Sequence, residues 1–262
     1  MWVSGGTGMK HIDEKACHRT DGRWRERLVI GLFCAVVVLG YVMPRFSSHW
    51  WLIGELPGMW RMYLWWGMAM TVSLWVVHSV NSCWHHWLRP SLLNAGRAFQ
   101  TALIFALPMW VIGLMGRWSP PDLMVMWRNI VFGPLMEELF FRGFAFGALY
   151  FVFGVSFWRA ALFSSLLFAL GHLYQGEHWL NMSLIVAMTM AGGLWFCWLY
   201  ARWRVLWLPI FLHMLMNGAW AFFDLGDNAL GGLWGNLGRI LTIAISIWWT
   251  IAFHSKEPER HI

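Results

Sequence analysis

The stretch LVIGLFCAVVVLGYVM, residues 28–43, decides the fold class of this protein. It contains no charged residue, and it lies between Arg27 and the dipeptide Pro44-Arg45. A helix needs about 20 mostly apolar residues to cross about 30 Å of hydrocarbon, and lipid offers no hydrogen bonds to an open backbone. The stretch begins too far into the chain for a signal peptide, and no small-residue cleavage site follows it. It therefore predicts a first membrane helix.

Seven further apolar stretches follow this first one. They lie near residues 59–80, 98–116, 124–150, 158–174, 179–200, 205–223 and 237–254. The stretch at 124–150 is longer than one crossing requires, so we expect it to tilt or to kink near Gly133-Pro134. Hydrophobic residues make up 59% of the chain and charged residues only 12%, about half the charged fraction of a typical soluble protein. The predicted fold is all-α, with about eight membrane helices around a polar intramembrane cavity.

The predicted organisation is one membrane-embedded unit between two tails. A basic N-terminal tail covers residues 1–27, the membrane domain covers 28–254 with a motif-bearing core at 124–223, and a short tail covers 255–262. If the N-terminus is cytoplasmic, thirteen Lys and Arg residues lie on the cytoplasmic side and five on the outer side. Because cytoplasmic segments are enriched in Lys and Arg, both termini are expected in the cytoplasm. Six of the nineteen Lys and Arg residues lie in the first 27 positions, where the cytoplasmic flank of a first membrane helix would carry them, so no nucleic-acid partner is expected.

The most informative polar residues lie within the run MEELFFR, residues 136–142. Ionisable groups inside a membrane are costly, so each is a functional candidate. Glu138 and Arg142 are four residues apart on a helix and can pair, whereas Glu137 points about 100° away. One carboxylate is then left to face a cavity and to take and return a proton. The alternative is a structural ion pair between helices.

Two later spans carry further polar groups. Phe168 and His172 are one helical turn apart, and an interfacial histidine is the simpler interpretation of His172 taken alone. His213 and Asn217 are also one turn apart, so a ring N–H and an amide N–H can converge, as a developing oxyanion requires. Hydrogen bonding between helices would explain this second pair equally well. Together, the carboxylate, the histidine and the donor pair indicate acyl transfer with water as the nucleophile.

In these motifs, E-E-x-x-x-R, F-x-x-x-H and H-x-x-x-N in that order, the chain resembles the CPBP family of CAAX-type and bacteriocin-processing intramembrane proteases. The eukaryotic relative is the type II CAAX prenyl endopeptidase. The resemblance implies that Glu137 activates water with help from His172, and that His213 and Asn217 stabilise the oxyanion. Glu138, Arg142 and Phe168 would support the site. It also implies a membrane-anchored protein substrate, a lipid bilayer as surroundings and no cofactor.

Three alternatives stay open at this stage. Glu137, His172 and His213 could hold a metal ion, although the chain has no HExxH motif and its four isolated cysteines form no CxxC pair. A non-proteolytic immunity or scaffold protein would be expected to have a broken motif, and all three motifs are intact. A proton-coupled transporter would be expected to show internal repeats, and none is found. The short chain favours a bacterial inner-membrane protein, for which a C-terminal sorting signal is the preferred substrate over a CAAX-like tail.

Overall fold

The structure, a computed structural model, describes residues 23–50, 54–80 and 94–254. Within these ranges it consists of helices and connecting segments, with no strand. The predicted all-α class is therefore confirmed. The predicted tails, 1–27 and 255–262, lie wholly or largely outside the described residues, so their boundaries stay predictions.

Eight long helices follow one another through the described part of the chain. They are α1 (Arg23–Phe46), α2 (Gly58–Val80), α3 (Ala95–Gly113), α4 (123–152), α5 (Phe157–Leu170), α6 (Trp179–Trp203), α7 (Trp207–Phe222) and α8 (Leu233–Trp249, continued by a π-helical turn at Thr250–His254). Short 3-10 turns at Ser47–His49 and Leu173–Gln175 follow α1 and α5.

Four segments among the described residues are long and apolar enough to cross a membrane. They are Arg27–His49, Ala95–Gly113, Trp179–Trp203 and Leu233–Phe253. By contrast, α5 has 14 residues and is about 21 Å long at 1.5 Å per residue, which is less than the hydrocarbon thickness. Several membrane helices are thus confirmed, while the count of eight crossings stays a prediction.

Helix α4 lies at the centre of the bundle and packs against α2, α5, α6 and α7. Much of it is π-helical, at Met126–Phe132, Glu138–Phe146 and Ala148–Val152. For example, the N–H of Gly147 bonds the carbonyl of Arg142, five residues back. π-Helical turns are rare and are frequent at functional sites. They occur here on the helix that carries Glu137 and Glu138.

Helices α1 and α2 approach closely at a pair of small residues. A Cβ built on Gly40 would meet the Cβ of Ala69, and it would lie 3.3 Å from the carbonyl oxygen of Trp65. Lipid tails are as apolar as the helices, so helix contacts in a membrane depend on this kind of close packing. A side chain at position 40 would therefore push α2 away from α1.

We expect Gly40→Val to destabilise the protein by about 1–3 kcal/mol, the usual range for overpacking a tight contact. Gly31→Val is the matched control, because a Cβ on Gly31 meets nothing within 4 Å and the helix is the same. The measurement is the unfolding free energy of both variants in one detergent. Equal losses for the two variants would contradict the close approach.

Candidate active site

Glu138 and Arg142 form a buried ion pair on α4. The Oε1 atom of Glu138 lies 3.1 Å from Nη1 of Arg142, and the side chains are 0% and 1% exposed. The pairing expected from their spacing is present. The Arg142 guanidinium lies 4.2 Å from the ring centre of Phe168 and 5.3 Å from that of Phe196, so two aromatic faces also stabilise its charge. Phe196 carried no signal in the sequence, since it is one apolar residue of an apolar helix.

Glu137 faces a different direction from its neighbour. Its side chain is 24% exposed, whereas that of Glu138 is fully buried. Glu137 is the last residue of the α-helical turn Gly133–Glu137, and the π-helical stretch begins at Glu138. The predicted division between one tied carboxylate and one open carboxylate is therefore present in the geometry.

His213 lies between the two carboxylates. Its Nδ1 atom is 2.8 Å from Oε1 of Glu138, and its Nε2 atom is 3.9 Å from Oε2 of Glu137. A carboxylate paired with Arg142 is an acceptor, so Nδ1–H of His213 is the donor in the shorter contact. In the neutral ring, Nε2 then carries no proton and faces Glu137 as an acceptor. The sequence did not predict this bond, which joins residues 75 positions apart.

His172 is placed by the end of α5. It follows Gly171 and precedes the 3-10 turn Leu173–Gln175. Its Nδ1 atom lies 2.9 Å from the carbonyl oxygen of Phe168, and since a carbonyl only accepts, Nδ1 is the protonated nitrogen. The neutral ring therefore presents an unprotonated Nε2, as a general base or its partner requires.

Phe168 connects the two histidines. Its ring centre lies 4.6 Å from that of His172 and 6.4 Å from that of His213, and the same ring covers the Arg142 guanidinium. Both imidazoles thus pack around one phenyl ring. Among the residues that the structure describes, no direct hydrogen bond joins His172 to Glu137.

Asn217 has a partner that the sequence did not reveal. Its Nδ2 amide donates to the carbonyl oxygen of Asn129, at 2.9 Å, across 88 positions of sequence. A side-chain amide has two N–H groups, so one donor remains available. Within the described part of the chain, Asn217 makes no direct hydrogen bond to His213 or Glu137. The contact ties α7 to the first half of α4 and fixes the orientation of the amide.

A metal centre would need a compact set of ligands. No group of three or more His, Cys, Asp or Glu side chains in the described ranges could hold a metal ion. Glu137 and His213 are close together, whereas His172, although its Nε2 is unprotonated, is not grouped with them in the described ranges. The geometry therefore offers two of the three suggested ligands near one point, and a chelator experiment is the direct test.

Part of the chain that carries these residues is similar to known proteins. Residues 117–219 match the family described as type II CAAX prenyl endopeptidase Rce1-like. A Bacillus subtilis (strain 168) protein named "Putative membrane peptidase YdiL" is 42% identical over 95 residues, which is 36% of this chain and 34% of that protein. No solved structure matches the chain.

The matched segment contains α4, α5, α6 and most of α7, and with them the candidate residues Glu137, His172, His213 and Asn217. The chain matches about a third of the length of the curated relative. All three motifs predicted from the sequence fall within the family match. Through residues 117–219, the chain is similar to the type II CAAX prenyl endopeptidase Rce1-like family.

Proposed function

We propose that this protein is a glutamate-dependent intramembrane endopeptidase. One observation supports it most strongly: the open carboxylate of Glu137 lies beside His213, which is itself held by the buried pair Glu138–Arg142. An acid–base group placed against an oriented histidine is the arrangement used to activate water. The family match over the same residues supports peptide-bond hydrolysis.

In the proposed reaction, the Glu137 carboxylate accepts a proton from water as the water oxygen attacks the scissile carbonyl carbon. The carbonyl becomes a tetrahedral oxyanion. When the C–N bond breaks, the proton held by Glu137 passes to the leaving nitrogen, giving a free amine and a carboxylic acid. His172 would assist the proton transfers through its unprotonated Nε2, since its Nδ1–H is bound to the Phe168 carbonyl.

The proposed oxyanion site comprises Asn217 and His213. Asn217 would donate its second amide N–H, while the bond to the Asn129 carbonyl holds the amide in place. His213 uses Nδ1–H toward Glu138, so it can donate from Nε2 only as an imidazolium. Through the bond to Nδ1, Glu138 is the residue that orients the His213 ring.

The proposed substrate is a membrane-anchored protein cut near its C-terminal segment. Several helices of this chain can cross a bilayer, so the site and a lipid-held substrate share one environment. Between the two substrate classes, we favour a C-terminal sorting signal with its own membrane helix over a CAAX-like tail.

The test is cleavage of membrane-anchored peptides of both classes by the purified protein in liposomes, read by mass spectrometry, with and without a strong chelator. Chelator-resistant cleavage supports the glutamate mechanism. Cleavage that stops with chelator assigns the site to the metal class. No cleavage of either peptide favours the immunity or scaffold alternative.

Asn217→Ala should lower kcat by about 10²–10³-fold, the usual effect of removing one oxyanion donor. Asn236→Ala is the matched control. Asn236 lies on α8, and its Nδ2 amide also donates to a backbone carbonyl, that of Leu230, at 2.8 Å. Both variants lose the same kind of bond, so both should lose similar stability. Equal kcat values for the two variants would remove Asn217 from the oxyanion site.

A further inference from the structure

Tyr63 of α2 reaches the helix turn that carries Glu137. Its hydroxyl oxygen lies 3.6 Å from the position that a Cβ on Gly133 would occupy. Gly133 and Glu137 begin and end one α-helical turn of α4, so they lie on one face of that helix. The hydroxyl is thus next to the face from which the Glu137 side chain projects. A phenol O–H can donate to a carboxylate.

The Tyr63 ring is held rigidly in this position. Its centre lies 5.1 Å from that of Phe132 and 5.8 Å from that of Trp66, both in edge-on contacts, and the residue is only 7% exposed. The hydroxyl itself makes no hydrogen bond to any residue in the described ranges, and it is not one of the buried polar atoms there that lack a partner. The hydroxyl oxygen is therefore accessible, and its O–H is available to donate.

The charged and ionisable groups around the Tyr63 hydroxyl are Glu137, Arg128 and Tyr174, all of which interact with it electrostatically. Arg128 already bonds the side chain of Asn129, at 2.8 Å. Tyr174 is 82% exposed, and His213 is the other ionisable group close to Glu137. Of these groups, Glu137 is the carboxylate, and a carboxylate is an acceptor for a phenol O–H.

We propose that Tyr63 is a positioning residue of the peptidase site, whose hydroxyl donates to the Glu137 carboxylate and aims it at the reacting water. The proposal rests on the proposed function of Glu137. A donor on one carboxylate oxygen fixes the orientation of the Glu137 side chain. It leaves the other carboxylate oxygen to face His213.

Tyr63→Phe tests the role, because it removes the hydroxyl and keeps the ring and its packing. We expect kcat to fall about 10- to 100-fold, the fold-change of a lost hydrogen bond to a charged group. KM and the melting temperature should not change. A loss of kcat with unchanged KM and melting temperature is a result that a purely structural role would not produce.

Tyr150→Phe is the matched control, since Tyr150 packs against Phe146 and Phe157 near the far end of α4. It should retain wild-type kcat. If Tyr63→Phe keeps the wild-type kcat, or if Tyr150→Phe loses as much kcat, the proposed role of Tyr63 is wrong. Either result leaves the proposed peptidase function untouched. Failure of the wild-type protein to cleave any membrane-anchored peptide overturns the proposed function as well.

Discussion

Glu137→Gln should lower the rate of peptide cleavage by about 10²–10⁴-fold, the usual contribution of a general base. The amide keeps the shape of the side chain and cannot accept a proton from water. The fold should persist, because a neutral amide is cheaper to bury than a carboxylate and Glu137 is not part of the buried ion pair. The measurement is kcat on a membrane-anchored peptide at matched protein stability.

Two controls sharpen this result. Glu177→Gln makes the same chemical change on an exposed carboxylate in the segment before α6, and it should leave kcat unchanged. Glu138→Gln should lower both activity and stability, since Glu138 has Arg142 and His213 as partners. Full activity of Glu137→Gln would end the glutamate mechanism, whatever the other variants do.

Local spacing on a helix was enough to predict the arrangement of the carboxylates. Four residues separate Glu138 from Arg142, and the ion pair follows from helical geometry even though much of α4 is π-helical. The same geometry turns Glu137 away from Glu138. Such contacts depend on one helix only, so they can be predicted without knowing how the helices pack.

Contacts between helices could not be predicted in the same way. The bond from His213 to Glu138 and the bond from Asn217 to Asn129 join residues 75 and 88 positions apart. The sequence indicated that these polar groups need partners, because unpaired groups are costly in lipid. The sequence did not indicate which groups those partners are. The identity of the partner matters for the reaction, because a His213 ring bound through Nδ1 can donate from Nε2 only when it is protonated.

The number of crossings was also harder to predict than the fold class. Apolar runs near 158–174 and 205–223 suggested full spans, whereas the helices there have 14 and 16 residues. Helix α5 ends at Leu170, two residues before His172, and the chain then turns at Leu173–Gln175. The apolar run thus extends past the end of the helix, because hydrophobicity alone does not show where a helix ends.

Arg142→Met should destabilise the protein by about 3–5 kcal/mol, the usual cost of leaving a buried charge without its partner. Met fills a similar volume between Phe168 and Phe196, so the loss reports mainly the Glu138 carboxylate, which keeps its bond to His213 but loses the guanidinium charge. The measurement is the unfolding free energy in detergent. Arg239→Met is the control. Arg239 lies 4.7 Å from the Trp220 ring centre but pairs with no carboxylate among the described residues. This variant should therefore lose at most about 2 kcal/mol of unfolding free energy.

The double variant Glu138→Gln/Arg142→Met separates stability from catalysis. Removing both charges leaves no ion stranded in the core, so the double variant should be more stable than Arg142→Met alone. Activity should not return with stability, because His213 then loses the carboxylate that orients its ring. A double variant that regains both stability and activity would show that Glu138 and Arg142 serve only to hold the helices together. A double variant as unstable as Arg142→Met would mean that the guanidinium packing against Phe168 and Phe196, and not charge compensation, stabilises this part of the bundle.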